Sequence, residues 1–291
     1  MINLWNQKTE EKFFSETRSF ASADQLFYKT NKGEYFAYWP KHYKGEKSTL
    51  QSRNSLIGKF TEKWSADIIN NFAKKNNLYA VQDAICYEIG LPNNSSADVA
   101  LCKTKDRIQK PENIVAVFEV KMSIVWNWQL KTERKEDKLI CIGDFTTHTG
   151  NPGLLRSDSM LKAIGKSINI RVSSLKSSHI PIIVLGNTPI TKNYYWKVDH
   201  LKNCGVIQGF WSLNPNSSDT NKLKHTPKNG FIQFDTYDEF DKGLANLLAD
   251  DQNFFSSMKS SNELGKIIEI ANKESSYEEK AEKFLSLLRV K

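Results

Sequence analysis

Apolar residues recur at helical spacing between Asn54 and Lys75, where Ile57, Phe60, Trp64, Ile68 and Phe72 share one stripe and predict an amphipathic helix. The pattern then changes. Tyr79 to Ile89 reads as a strand, bounded by Asn76-Asn77 and by Gly90-Leu-Pro-Asn-Asn. A second strand fits Asp98 to Cys102 and a third fits Ile114 to Met122. The polar stretch between them contains Pro111, so the pair is expected to form a long hairpin. A second helix is expected from about Asp158, with Leu161, Ile164, Ile168 and Val172 as its inward face. The run Ile180 to Leu185 reads as a buried strand that stops at Gly186-Asn-Thr-Pro189. The order helix, three strands, helix, strand predicts a mixed α/β core.

Outside that core the pattern is less regular. Residues 1–53 mix aromatic and basic side chains with no sustained period. Tyr194-Tyr-Trp-Lys-Val and Val206-Ile-Gln-Gly-Phe-Trp are aromatic-rich strand candidates. A polar loop from Asn214 to Gly230 leads to a mainly helical C-terminal region.

Composition narrows the class. The 291 residues are 39% apolar and 25% charged, an ordinary globular balance, and they fit one large domain. No apolar run approaches the ~20 residues that cross a bilayer, and the first residues lack the apolar segment of a secretory signal. A cytoplasmic protein without a membrane partner is expected. Lysine and arginine (41) exceed aspartate and glutamate (33), leaving +8 and favouring a polyanionic partner. The four cysteines and five histidines have no zinc-like spacing, so any metal is expected on carboxylate oxygen, which suits Mg²⁺ or Mn²⁺.

The candidate chemistry lies in Ser95-Ser-Ala-Asp98 and Ile114-Val-Ala-Val-Phe-Glu119-Val-Lys121. An acidic residue two before a lysine occurs five times in the chain, but only Glu119-x-Lys121 ends a continuous run of β-branched and aromatic residues. Strand alternation puts Glu119 and Lys121 on one face. Charges at the end of a core strand are costly unless compensated, and a divalent ion shared with a second carboxylate would compensate them. Asp98 begins the preceding antiparallel strand, so 21 positions of sequence collapse to a few ångströms. Asp98 and Glu119 are therefore expected to hold Mg²⁺. Lys121 is expected to position the attacking water or help deprotonate it, and to stabilise charge on phosphorus.

Asp98…Glu119-Val-Lys121, in this order of elements, resembles the PD-(D/E)xK nuclease superfamily, and within it Type II restriction endonucleases. The likeness covers about residues 54–190, with Ala97 where the family name would put proline. It implies a restriction-endonuclease-like core (order αβββαβ, a mixed central sheet flanked by helices). Residues 1–53 and 191–291 are additions to it, the latter for recognition or dimerisation. It also implies Mg²⁺-dependent hydrolysis of DNA phosphodiesters, with Asp98, Glu119 and Lys121 in the roles above.

Glu62, four residues after Gly58, is placed like the extra helix carboxylate of many restriction enzymes, yet it lies opposite the Phe60/Trp64 stripe, which favours a solvated face. Glu88 reads either as a neighbour of the site or as a surface strand end. Arg156, Lys162 and Lys166 flank a helix that starts near an Asp158 N-cap, a phosphate-binding arrangement or simply a basic face. Trp126, Trp128, Lys131 and Arg134 interleave aromatic and basic side chains between Ser123 and Gly153, which suits nucleic acid, or else the tryptophans anchor an insertion. The leading expectation is a sequence-specific double-stranded DNA endonuclease acting as a homodimer. No P-loop signature is present, so no nucleotide cofactor is expected. A repair, recombination or transposon-associated nuclease, and a non-catalytic DNA-binding protein, are the alternatives.

Overall fold

A computed structural model describes residues 2–133, 136–217, 223–249 and 261–289. In chain order its elements are α1 (Gln7–Arg18), α2 (Ala23–Leu26), β1 (Tyr28–Lys29), β2 (Tyr35–Phe36), α3 (Gln51–Lys75), β3 (Tyr79–Ala84), β4 (Ala97–Cys102) and β5 (Ile114–Val120). They continue with β6 (Asn127–Glu133), β7 (Glu136–Gly143), α4 (Ser157–Ser173), β8 (Ile182–Gly186), α5 (Tyr195–Asn203), β9 (Gly209–Ser212) and β10 (Phe231–Gln233). Three helices close the chain: α6 (Tyr237–Ala249), α7 (Ser261–Ala271) and α8 (Tyr277–Arg289). None of the described helices is long and apolar enough to cross a membrane.

The central sheet has the order β10-β9-β8-β5-β4-β3. β3, β4 and β5 form an antiparallel meander, while β5, β8, β9 and β10 run parallel. This is a mixed α/β sheet flanked by helices. Its middle strands, β5 and β8, are apolar on both faces because helices or loops cover both. One face packs with α3, where Ile57, Ile68, Ile69 and Phe72 meet Val99, Leu101, Phe118 and Ile183 in the main core.

Four regions depart from the sequence expectations. The stretch 123–153 forms the β6–β7 hairpin, which pairs with β2 in a second antiparallel sheet, β1-β2-β6-β7. Against that sheet packs α1, whose Phe13 and Phe14 are buried, and Trp5, Phe27, Phe36, Tyr38 and Trp39 are buried with them. β3 stops at Ala84 and gives way to a 3₁₀ turn, Tyr87–Ile89. Tyr194–Val198, expected as a strand, is helical instead: Tyr194 ends a 3₁₀ turn and caps α5, which Tyr195–Val198 open. The buried positions there, Tyr194 and Val198, are four apart, which is a helical repeat. The tendency of aromatics toward strands loses to that period.

Helix α4 is rotated from its expected face. Leu161 and Val172 point to solvent, 62% and 68% exposed, and Met160, Ala163, Ser167 and Ile170 face the sheet. Two charged side chains explain the rotation. Arg171 is drawn inward to the carbonyls of Gly205 and Ile180, at 3.1 and 2.9 Å. Lys166 is drawn to two carboxylates. Unmade charged hydrogen bonds cost more than exposing the aliphatic groups of Leu161, Ile168 and Val172.

Candidate active site

Strand register builds the site. Val99 of β4 lies opposite Phe118 of β5, so Asp98 and Glu119 meet at the next step of the ladder. Val120 N–H donates to Asp98 Oδ2 at 2.7 Å, which fixes that carboxylate. β5 is pinned on its other side by β8. Lys121 N–H donates to Leu185 O at 2.7 Å, and just beyond it the Asn187 carboxamide clamps both backbone groups of Ser123.

Lys121 Nζ lies 2.5 Å from Glu119 Oε1 and 3.8 Å from Asp98 Oδ2. The three side chains singled out from the sequence are therefore brought together. The fourth member, Lys166 of α4, was expected on a basic face toward DNA. Its Nζ lies 3.0 Å from Asp98 Oδ1 and 2.6 Å from Glu119 Oε2. Two carboxylates and two ammoniums form a ring, mostly withdrawn from solvent, with Glu119 only 5% exposed. Burial and the adjacent Asp98 push the Glu119 carboxyl up, while Lys121 and Lys166 pull it back. Burial works against the Lys166 ammonium, but Asp98 and Glu119 outweigh it and hold its pKa above the ordinary lysine value.

Glu62 belongs to this neighbourhood. It is half-buried, so the solvated-face reading is corrected. Burial and the charge of Asp98 push its carboxyl up to about 7, against the pull of Lys121 and Lys166. Glu88 does not belong: it is exposed on the 3₁₀ turn and pairs with Lys176.

Lys121 also lines a cleft of about 710 Å³ between α3, the start of α4 and the second sheet. The charged side chains lining it are Arg53, Lys121, Arg156, Lys162 and one acid, Asp158. Arg156 is the N-cap residue of α4, with Asp158 in the first turn, 3.5 Å from Arg156 and 3.1 Å from Lys162. The Asp158 N-cap expected from the sequence is thus corrected. Gly153 lies against the same wall at φ +55, where a Cβ would sit 3.1 Å from Lys121 O.

The tryptophans expected to touch DNA do not reach the cleft. Trp126 and Trp128 are 5% and 1% exposed, and Trp128 Nε1 donates to Glu10 Oε2 at 2.7 Å. They anchor the insertion to the core. Lys131 is exposed on β6, away from the cleft lining. Arg134 lies outside the described residues. Sequence reasoning missed Glu10, Asn187 and the inward turn of Lys166. Only the last left a trace, since Lys166 lies three residues after Ala163 and four before Ile170, both on the sheet side of α4.

The donor set suits a hard divalent cation. Asp98 Oδ2 is committed to a backbone N–H and Glu119 Oε1 to Lys121, while Asp98 Oδ1 and Glu119 Oε2 face Lys166. Glu119 Oε2 is buried and receives no well-directed hydrogen bond. No three His, Cys, Asp or Glu side chains among the described residues are grouped to hold a metal. Two carboxylates, completed by water and a phosphate, are nonetheless a usual Mg²⁺ shell.

Compared with known proteins, the chain matches no family model, no curated protein and no solved structure. Function therefore has to be argued from the site itself.

Proposed function

We propose that the chain is a Mg²⁺-dependent endonuclease hydrolysing phosphodiester bonds in double-stranded DNA, in the manner of a Type II restriction enzyme. The observation that carries this reading is the convergence of Asp98, Glu119 and Lys121, with Lys121 lining a cleft whose walls hold four cations and one acid. Asp98 and Glu119 would hold the metal. Bound there, Mg²⁺ supplies polarisation of a phosphoryl oxygen and a more acidic water.

Arg156 and Lys162 bind the backbone phosphates that flank the scissile bond. Lys121, held on the rigid end of β5, directs the attacking oxygen and stabilises negative charge as it builds on the phosphoryl group. Glu62, with its carboxyl near 7, accepts a proton at neutral pH. One such site cuts one strand, so two copies of the chain related by a two-fold axis are the simplest assembly for cutting both.

Incubating the protein with plasmid DNA and Mg²⁺ tests the reading. Discrete linear fragments are expected, absent with chelator and absent for Glu119→Gln. Cleavage only at branches, flaps or ends favours the repair or recombination class. DNA binding without cleavage under any divalent ion overturns the enzymatic reading. Sedimentation with and without cleaved DNA tests the two-copy assembly.

A further inference from the structure

We propose that Lys166 is a resident counter-ion of the site, whose ammonium occupies the place of the divalent cation and leaves it when a phosphodiester arrives. The proposal rests on the nuclease reading and deepens it, because it makes metal binding depend on substrate.

The geometry is specific to Lys166. An ion shared by Asp98 and Glu119 needs one oxygen from each, and the available ones are Asp98 Oδ1 and Glu119 Oε2. Those are the two oxygens that Lys166 Nζ bridges, at 3.0 and 2.6 Å. Lys121 takes Glu119 Oε1 and approaches the other oxygen of Asp98, so the two ammoniums are not equivalent. Lysine suits exchange, being a point charge on a flexible four-carbon stem.

Charge balance gives the exchange its direction. Two carboxylates and two ammoniums sum to zero. A divalent cation added to all four would leave two positive charges in excess in a mostly buried site, which is costly. If Lys166 leaves without a partner, it forfeits two ion pairs. A phosphodiester in the cleft removes both penalties, because it supplies a negative charge beside the metal and a new partner for the ammonium. Lys162 and Arg156, earlier on the same helix, already line that cleft. Metal and DNA should therefore bind cooperatively, each tightening the other by the same factor.

The test is calorimetric titration of Mn²⁺ into the full chain without DNA, for wild type, Lys166→Met, Lys166→Gln, Lys121→Met and Asp98→Asn. Folding of each variant is checked by circular dichroism. Lys166→Met is expected to bind Mn²⁺ about tenfold or more tightly than wild type, and more tightly than Lys121→Met, which removes the same charge from the other side. Thermal unfolding gives a second readout. Lys166→Met should melt below wild type without metal, because two buried carboxylates lose a partner, and should gain more from Mn²⁺. Lys166→Gln serves where the methionine variant fails to fold.

Mn²⁺ affinity that is equal or weaker in both Lys166 variants, yet lost in Asp98→Asn, overturns the exchange and leaves the metal site standing. Equal tightening in Lys121→Met and Lys166→Met overturns it too, reducing the effect to net charge. No Mn²⁺ binding by any protein overturns the metal reading of the site along with the exchange.

Discussion

Glu10 and Glu119 are both carboxylates almost wholly withdrawn from solvent, and both have their pKa pushed up by burial. Their partners differ. Glu10 accepts four N–H hydrogen bonds, from Trp5 Nε1 (3.0 Å), Val125 N (2.6 Å), Trp126 N (3.2 Å) and Trp128 Nε1 (2.7 Å). These donors are backbone amides and indoles that cannot leave, so the carboxylate welds α1 to the segment that follows Lys121. Glu119 faces two lysine ammoniums on flexible stems, one of which, Lys121, lines the cationic cleft. A buried charge satisfied by fixed neutral dipoles is a structural clamp. One satisfied by mobile counter-charges near an opening can change partners, and chemistry needs that freedom.

The largest effect that tests this contrast is on cleavage. Glu119→Gln and Asp98→Asn should each lower the Mg²⁺-dependent rate by about a thousandfold or more, with the unfolding transition retained. Lys121→Ala should do the same. A near-normal rate in any of them would remove that residue from the proposed chemistry.

Glu10→Gln is the complementary break. An amide offers one acceptor oxygen where four donors converge, so its NH₂ must confront indole or backbone N–H groups. A loss on the order of 3 kcal/mol is expected, read by urea denaturation. The cleavage rate of the folded fraction should hardly change. A fall in rate without a fall in stability would place Glu10 with the site rather than with the scaffold.

His148 sharpens the comparison on the scaffold side. It is buried and stacked on Tyr38 at 4.0 Å; its Nε2–H donates to Val125 O, and its Nδ1 accepts from Gly150 N–H. A second proton would confront that amide, and burial lowers its pKa from 6.5 to about 4. The unfolded chain therefore takes up a proton first as pH falls. His148 contributes stability that is full above about 6.5 and lost progressively toward 4, roughly 3 kcal/mol at most. Glu10 has the opposite slope between 4.5 and 8, since its carboxyl is raised. Subtracting the pH profile of His148→Gln from that of wild type isolates the histidine. A flat difference would refute its role.

The smallest effect belongs to the exposed rim. Lys162 pairs with Asp158 at 3.1 Å in solvent, so Lys162→Ala should cost no more than about 0.5 kcal/mol of stability. If Lys162 contacts a phosphate, DNA affinity falls for all sequences alike and the salt dependence shrinks by about one counter-ion. An unchanged salt slope would remove Lys162 from the interface.

Helix α3 and strands β4, β5 and β8 were legible in the chain because burial imposes a period on residues in the order they are written. The Asp98–Glu119–Lys121 cluster was legible for a related reason: strand alternation and one antiparallel turn convert local spacing into proximity. The face that α4 turns inward was not. Its aliphatic stripe is a good amphipathic pattern, and only carboxylates from β4 and β5 and carbonyls near Ser177 and Gly205 supply the reason to bury Lys166 and Arg171 instead. Trp126, Trp128 and Glu10 are a similar case, since an aromatic–basic run reads alike whether its rings meet bases or a buried carboxylate more than a hundred positions away. Sequence by itself determined the elements whose energetics are local and periodic. Tertiary structure decided which charges are buried and with whom, because a charge is stabilised by its partners in space, and those partners lie far away along the chain.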